Sequence, residues 1–298
     1  MANFRIHWKR LVALTAIVVA VAGCAAGEKT GNEQAQSLRL YVFDCGTLHY
    51  DNADAYQLKR EEVARTDMSL ACFLVVHPQG TLMWDAGAIA DGSWTPTGSP
   101  VRMHIVLPDK GERDVTMVKA LKPQLTEAGY SPADITYLAL SHYHWDHVAN
   151  ANDFAGSTWL VRKPERDLMF SNPPPDRTTP MTYSALNNSK TVVIDKDEHD
   201  VFGDGKVLLK STPGHTPGHQ VLFVDLAKTG PVVISGDLYH YPEERTLNRL
   251  PVRDFNKEQT TASRAILETF LKEKGAQLWI QHDIAAHEKL KKSPEFYD

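Results

Sequence analysis

The sequence predicts an α+β domain in which two β-sheets pack against each other and helices cover their outer faces. Short apolar segments with strand-like alternation recur along the chain, and a few helical patterns lie between them. Motifs rich in His and Asp directly follow several of these segments, so polar side chains gather where strands end. The 298 residues, 42% of them hydrophobic, are enough for one large domain with a sizeable core or for two small ones.

Three strands are expected in the first part of the domain. Residues 38–43 alternate apolar and polar side chains, and residues 70–76 form an almost continuous apolar run. Residues 81–85 follow after the turn sequence at 78–80, which predicts a hairpin. Residues 88–113 are rich in Gly, Pro and Ser and predict a long loop near the mouth of a pocket.

The middle of the chain predicts helices on either side of buried strands. Asp114 has the position of an N-cap for a helix over 115–128, whose apolar residues share one face. The apolar runs 135–140 and 157–162 predict strands, and a short helix is expected over 164–170.

Residues 171–190 form a second irregular stretch with apolar side chains in and just before it. Met169, Phe170, Met181 and Tyr183 either line an apolar substrate channel or simply pack at the surface.

The last third of the chain alternates strands with two helices. Asn256 opens a capping-box pattern for a helix that runs to Lys274, and Gly275 suits its C-terminal cap. A last helix is expected over 284–292. The strands of this region are expected at 191–194, 207–210, 220–226, 231–235 and 276–280.

The N-terminus has the pattern of a bacterial export signal. Basic residues precede the apolar run 11–22, which is too short to span a membrane comfortably. Residues 21–24, Val-Ala-Gly-Cys, resemble the lipobox at which Cys24 is lipidated and the chain is cleaved before it. An uncleaved anchor helix is the alternative. In both cases the folded part lies outside the cytoplasm.

This pattern predicts three regions. They are a signal peptide over 1–23, a flexible polar tether over 24–37 and one large folded domain over 38–298. Ala25 after the lipidated Cys indicates the outer membrane, so we expect an exported lipoprotein on the periplasmic face. The membrane contact would then be the lipid on Cys24.

Charge and cysteine content limit the partners and the covalent structure. The net charge of −5 and the lack of a basic stripe argue against a nucleic-acid partner. Besides Cys24, the sequence contains Cys45 and Cys72. In an oxidising compartment these two can form a disulfide, and their apolar contexts equally suit buried thiols. The oligomeric state is left open by the sequence.

The run His-Tyr-His-Trp-Asp-His at residues 142–147 predicts a metal centre. It follows an apolar strand, and in an extended segment His142 and His144 share a face and can point at one metal. Asp146 and His147 follow where the chain turns and can reach a second metal. Imidazole and carboxylate suit zinc, with iron, manganese or cobalt as substitutes.

Three later segments carry further donors, each at the end of a predicted strand. They are TPGHTPGH at 212–219, SGD at 235–237 and QHD at 281–283. The donors divide into a site of His142, His144 and His219, a second of Asp146, His147 and His282, and a bridging Asp237. Such a set leaves room for a hydroxide between metals about 3.5–4 Å apart.

These motifs together resemble the metallo-β-lactamase superfamily and, within it, are most similar to the N-acyl-homoserine lactonase group. The similarity extends from about Leu38 to Tyr297 and includes the segments HYHWDH, TPGHTPGH, SGD and the late QHD. The resemblance implies a four-layer αβ/βα sandwich and a dinuclear zinc hydrolase. True metallo-β-lactamases lack the bridging carboxylate that Asp237 provides. Diiron oxygen reductases carry Glu where this chain has His144.

The resemblance also implies a reaction, hydrolysis of the lactone ring of N-acyl-homoserine lactones, in which Asp146 passes a proton to the leaving oxygen. The substrate would be a small lactone or ester. A thioesterase or general esterase of the same superfamily shares the ligand set and is the alternative. A lipid-anchored metal-binding protein without turnover is a further one.

One position departs from the lactonase pattern. That group has a Tyr three residues after the bridging Asp, whereas this chain has His240 there, with Tyr239 just before it. Tyr239 or His240 is therefore expected to contact the substrate carbonyl, or else to pack at a strand end. His215 is expected to be structural.

Overall fold

Two β-sheets face each other across an apolar core in the computed structural model, which describes residues 1–2 and 37–298. In chain order the strands are β1 (Arg39–His49), β2 (Met68–His77), β3 (Gly80–Trp84), β4 (Val101–Val106), β5 (Glu112–Met117), β6 (Tyr137–Ala139), β7 (Thr158–Arg162), β8 (Thr191–Ile194), β9 (Glu198–Asp200), β10 (Val207–Ser211), β11 (Gln220–Leu226), β12 (Gly230–Ile234), β13 (Gln277–Trp279) and β14 (Phe296–Tyr297). The α-helices are α1 (Leu121–Glu127), α2 (Trp145–Val148), α3 (Lys163–Met169), α4 (Pro242–Thr246), α5 (Lys257–Lys274) and α6 (Ile284–His287).

Both sheets are mixed. The larger has the order β4-β5-β1-β2-β3-β6-β7-β8, with β14 paired to β1, and the smaller has the order β13-β12-β11-β10-β9. The pairs β3–β6, β6–β7 and β7–β8 of the larger sheet are parallel, and so is the pair β12–β13 of the smaller one. The ends of β6, β12 and β13 are followed directly by the polar motifs.

The alternation of side chains in β1 explains why the domain has several apolar layers. Leu40 and Val42 point into the core between the sheets, where they join Leu222 of β11. Tyr41 and Phe43 point to the other face and belong to the core that includes helix α1. On the outer face of the smaller sheet, α5 buries three apolar side chains, Leu267, Phe270 and Leu271. The result is the predicted helix–sheet–sheet–helix sandwich of the α+β class.

Two of the predicted local structures are confirmed closely. Strands β2 and β3 pair antiparallel as the expected hairpin. The longest helix, α5, begins after Asn256, whose side-chain oxygen accepts the Gln259 N–H at 2.9 Å. It ends at Gly275, which has the left-handed φ of 62° that glycine adopts without strain.

The predicted loop over 88–113 and the predicted helix starting after Asp114 were wrong. The hairpin β4–β5 occupies this region, and helix α1 begins only at Leu121. Val115 and Met117 alternate into the core, as strand residues do. The Asp114 side chain meets Arg102 at 3.1 Å across the hairpin and caps no helix. The last helix is also shorter than expected, because α6 ends at His287.

The structure pairs Cys45 of β1 with Cys72 of β2 in a disulfide, with 6.3 Å between the Cα atoms. This resolves the choice between a disulfide and free thiols. Both side chains are buried behind the loop at Gly87.

Residues 3–36, which contain most of the predicted signal peptide and tether and also Cys24, lie outside the described residues. The boundaries at 23 and 37 therefore stay predictions, while the residues described from 37 onward belong to one compact unit. Within the described part of the chain, no helix combines the length and the apolar character needed to cross a membrane.

Candidate metal centre

The HYHWDH motif sits at the end of a strand that its neighbours hold on both sides. Strand β6 is paired with β3 and with β7, so the point where it ends is fixed by the sheet. The chain then leaves the sheet, and helix α2 begins after His144. His142, His144 and His147 are almost fully buried, and they direct their ring nitrogens into one space.

The first group of donors contains three imidazoles and one carboxylate oxygen. Nδ1 of His144 lies 2.7 Å from Nε2 of His142 and 2.9 Å from Nε2 of His215. Oδ2 of Asp237 is 3.2 Å from Nε2 of His215 and 3.5 Å from Nε2 of His142. Burial lowers the pKa of both His142 and His144 well below the ordinary value, so these rings are neutral and offer lone pairs.

The second group contains Asp146, His147 and His282. Oδ2 of Asp146 lies 3.9 Å from Nε2 of His147 and 3.8 Å from Nε2 of His282. The other oxygen of Asp237, Oδ1, is 3.0 Å from each of these two nitrogens. Burial alone would raise the pKa of Asp237. The surrounding imidazoles, led by those of His147 and His282, outweigh this effect together, and the pKa lies well below its ordinary value. Asp237 is therefore a carboxylate with one oxygen toward each group.

The donor atoms that line this cavity are suited to bind cations. Nε2 of His147, Nε2 of His282 and Oδ1 of Asp237 are buried, and none has a hydrogen-bond partner among the described residues. Buried polar atoms without partners are costly unless a bound group satisfies them. Nitrogen and oxygen donors in two clusters that share a carboxylate are the ligand types and arrangement of a dinuclear zinc site.

Hydrogen bonds on the far side of three of the rings orient these donors. Nδ1–H of His147 donates to Asp85 at 2.8 Å, and Nδ1–H of His282 donates to the Ser69 carbonyl at 2.8 Å. In His215, Nδ1–H donates to Asp254 at 2.9 Å. These bonds leave Nε2 of each ring with a free lone pair that faces the centre. Asp85, which directly follows β3, thus orients the His147 ring.

The structure corrects the prediction that His219 is a ligand and His215 is structural. Nε2 of His219 accepts the backbone N–H of Asp237 at 2.9 Å, and its Nδ1–H donates to the Thr212 carbonyl at 3.1 Å. With both nitrogens engaged, His219 has no lone pair for a metal. His215 occupies the expected position instead. The sequence alone could not show which histidine is the ligand, because each one ends a copy of the same tetrapeptide, TPGH.

Two glycines make these placements possible. At Gly214, with a φ of 139°, an added Cβ would lie 2.2 Å from the backbone nitrogen of Thr260, so only glycine lets the His215 loop approach α5. At Gly236, with a φ of 49°, a Cβ would lie 2.8 Å from Nε2 of His219. The close approach there puts the Asp237 N–H against that ring.

The prediction that Tyr239 or His240 contacts the substrate is corrected for Tyr239. The Tyr239 hydroxyl donates to Glu268 at 3.2 Å, and the Arg264 guanidinium lies 4.2 Å from the ring centroid, so this side chain packs toward α5. His240 lies in the pocket, with Nε2 3.1 Å from Oδ2 of Asp237 and Nδ1 3.3 Å from Glu244. Burial alone would lower the pKa of His240, but the two carboxylates together outweigh this effect and raise the pKa to about 10.

A pocket of about 220 Å³ opens above the donors. Several residues that line it went unrecognised in the sequence, because they come from distant segments without a motif. They are Tyr50, Tyr56, Arg113, Arg177 and Arg253. The apolar residues Met169, Phe170 and Tyr183, proposed for a substrate channel, line a separate groove instead, and Met181 is 87% exposed. Surface packing, the second option, describes Met181 and the half-buried Phe170, whereas Met169 and Tyr183 are buried in the apolar core.

Glu165 of α3 forms hydrogen bonds to both loops that carry histidine donors, the loop after β6 and the loop after β10. Its carboxylate accepts the Tyr143 N–H at 2.8 Å, the Gly218 N–H at 2.8 Å and the Thr216 hydroxyl at 2.8 Å. Burial raises the pKa of this carboxyl to about 7, although the three donors favour its charged form.

Comparison with known proteins agrees with this architecture. Residues 65–275 match the metallo-beta-lactamase superfamily. The N-acyl homoserine lactonase AttM of Rhizobium radiobacter is 28% identical over 272 residues, which cover 87% of this chain and 98% of that protein. A variant of AiiA from B. thuringiensis, solved with N-decanoyl-L-homoserine bound at the active site, superposes with a TM-score of 0.71 at 22% identity, covering 88% of this chain and all of that one.

AidC, a dizinc quorum-quenching lactonase solved with a product, superposes with a TM-score of 0.62 at 19% identity, covering 88% of this chain and 94% of that one. The fold, the two donor groups and the family match define the class of this protein. The chain belongs to the metallo-β-lactamase superfamily.

Proposed function

We propose that the protein is a metal-dependent hydrolase that opens the lactone ring of N-acyl-homoserine lactones, and so degrades quorum signals. The observation that carries the proposal is the Asp237 carboxylate, which joins two donor groups at the floor of a pocket. A relative that this chain matches over nearly its whole length is named as a lactonase of this kind. Two structural neighbours hold acyl-homoserine molecules, one of them described as a product.

The donor chemistry supports two zinc ions as the cofactors. His142, His144 and His215 would hold one, Asp146, His147 and His282 the other, and Asp237 both. When bound, such a pair lowers the pKa of a water molecule toward neutrality and polarises an ester carbonyl. The same donors accept other divalent metals, so zinc is proposed from ligand type and from the dizinc neighbour.

The remaining work falls to protein side chains around the ester. Asp146 lines the pocket beside the second donor group and is positioned to carry a proton to the departing ring oxygen. The His240 ring lies 5.6 Å from the His282 ring, stacked on it and open to the pocket. We assign it to the carbonyl oxygen of the substrate, where an imidazole N–H stabilises developing negative charge.

We further propose that the domain is exported and anchored by lipid on Cys24. The basic and apolar N-terminal pattern and the lipobox-like residues 21–24 support this. Mass spectrometry of the membrane fraction tests it: a diacylglyceryl modification on Cys24 is expected, and an intact N-terminus in the soluble fraction would contradict it.

Hydrolysis measured by pH-stat tests the activity. N-acyl homoserine lactones, thioesters with the same acyl chain and linear esters are compared, before and after chelation and after zinc is added back. We expect lactone hydrolysis that chelation abolishes and zinc restores, and that Asp237→Asn removes. His77→Gln, at a buried histidine outside the centre, is the control that keeps activity.

Faster turnover of the thioester would instead make the protein a thioesterase. The lack of any hydrolysis by the zinc-loaded protein would leave a metal-binding protein without turnover.

A further inference from the structure

Three arginines from three separate segments line the pocket above the donors. They are Arg113 of β5, Arg177 of the 171–190 stretch and Arg253 of the segment before α5. The chain carries 37 acidic and 32 basic residues, so acidic partners are abundant. Yet within the described part of the chain none of these three arginines forms an ion pair.

Five other arginines in the described part of the chain form ion pairs. Guanidiniums within 4 Å of a carboxylate belong to Arg65, Arg102, Arg245, Arg249 and Arg264. Three unpaired guanidiniums around one cavity therefore form a local excess of positive charge. In addition, the Nε–H of Arg113 is buried without a hydrogen-bond partner among the described residues. A buried donor of this kind calls for an acceptor.

Backbone contacts fix two of these arginines relative to the metal centre. The Arg177 carbonyl accepts the Trp145 N–H at 2.9 Å, next to His144. The Arg177 guanidinium donates to the Arg253 carbonyl at 3.0 Å, which joins the two segments. The residue after Arg253 is Asp254, which accepts from His215.

We propose that these arginines bind an anionic group of the substrate, so that the preferred substrate is a lactone or ester whose acyl chain ends in a carboxylate. The inference rests on the proposed function and adds the substrate class. Guanidinium binds carboxylate through paired N–H donors and keeps its charge at every physiological pH. Leu48, Met68 and Trp145 line the same pocket and suit the methylene part of such a chain.

Two matched substrates test the proposal. One is adipoyl homoserine lactone, whose chain ends in a carboxylate, and the other carries an equally long chain ending in an isopropyl group, which has the same shape without charge. In the zinc-loaded wild type we expect kcat/KM to favour the carboxylate by about tenfold, the effect of one charge-assisted hydrogen bond at a partly exposed site. The preference should weaken as salt is raised.

Variants assign the preference to the arginines. Arg113→Gln and Arg177→Gln should each reduce the ratio of the two kcat/KM values at least threefold, and the double variant should bring it to about one. Arg102→Gln, on the neighbouring strand and outside the pocket, should leave the ratio unchanged. Equal rates for both substrates in the wild type, or a ratio insensitive to both variants, would overturn the proposal.

A binding measurement separates this proposal from the lactonase function. If neither lactone is hydrolysed, the proposed function fails. Calorimetry with the two ring-opened compounds then decides the anion site by itself. Tighter binding of the carboxylate-ended compound to wild type than to the double variant supports it, and equal binding excludes it.

Discussion

Asp85→Asn tests how the protein orients its metal ligands. The Asp85 carboxylate is fully buried and accepts the Ser141 N–H at 2.6 Å, the Nδ1–H of His147 at 2.8 Å and the Gln281 amide at 2.8 Å. Its φ of 58° is in the left-handed region, which Asn tolerates as well as Asp does. The substitution therefore changes the charge and the acceptors while the backbone cost stays the same.

The magnitude follows from the bonds that are lost. An Asn that keeps its oxygen toward Ser141 turns its amide NH₂ toward His147 and Gln281, both of which donate. Hydrogen bonds to a buried charged group contribute roughly 1.5–3 kcal/mol each, so after relaxation we expect about 2–4 kcal/mol loss of unfolding free energy. Because His147 loses its orienting partner, zinc affinity should fall by roughly 10–100-fold.

Urea unfolding of chelator-treated protein gives the stability change, and competition with a chromophoric chelator gives the zinc affinity. Asp91→Asn is the matched control, because the Asp91 carboxylate accepts the Leu121 and Lys122 N–H groups at the start of α1, away from the donors. It should cost about 1 kcal/mol and leave the affinity unchanged. Wild-type zinc affinity in Asp85→Asn would refute the orienting role.

Two further predictions concern stability. Because the folded pKa of Glu165, about 7, exceeds its ordinary 4.5, the folded state holds this proton more tightly, and its contribution to stability falls as pH rises from 4.5 to 7. Relative to Glu165→Gln, the metal-free wild type should lose roughly 3 kcal/mol over that interval in pH-dependent urea unfolding, and a constant difference would contradict this. Replacing Cys45 and Cys72 by Ala opens a link between residues 27 apart and should cost about 3.5 kcal/mol, measured in the same assay; unchanged stability would show that the disulfide does not restrict the unfolded chain.

Most of the donors could be predicted because their chemistry and their position in the sequence coincide. His142, His144, Asp146 and His147 stand together after an apolar run, and a strand end places them at a sheet edge whatever the loop does. Helix α5 could be predicted equally well, since the capping residues Asn256 and Gly275 mark its two ends by local chemistry alone. Asp237 and His282 follow the same rule at the ends of β12 and β13.

The errors arose where tertiary contacts decide between local alternatives. His215 and His219 have nearly identical neighbours, and only the tight turn at Gly214 against Thr260 determines which ring faces the donors. Val115 fits a helical spacing, but pairing with β1 and β4 makes its segment a strand. The sequence placed Tyr239 close enough to Asp237 to contact the substrate, but the contact between its ring and Arg264 directs the side chain toward α5.

The arginines of the pocket were not accessible from the sequence for another reason. Arg113, Arg177 and Arg253 are separated by long stretches of chain, and none belongs to a motif. Only the folded arrangement brings them to one cavity. The position of Arg113 depends on the β4–β5 hairpin, where the sequence suggested a loop followed by a helix.

Zinc content per chain, measured on His215→Asn and His219→Gln beside the wild type, tests the metal centre most directly. With circular dichroism confirming the fold, we predict two zinc ions for the wild type, one for His215→Asn and two for His219→Gln, because only His215 has a nitrogen free toward Asp237. Two zinc ions in His215→Asn together with one in His219→Gln would contradict the assignment of the ligands.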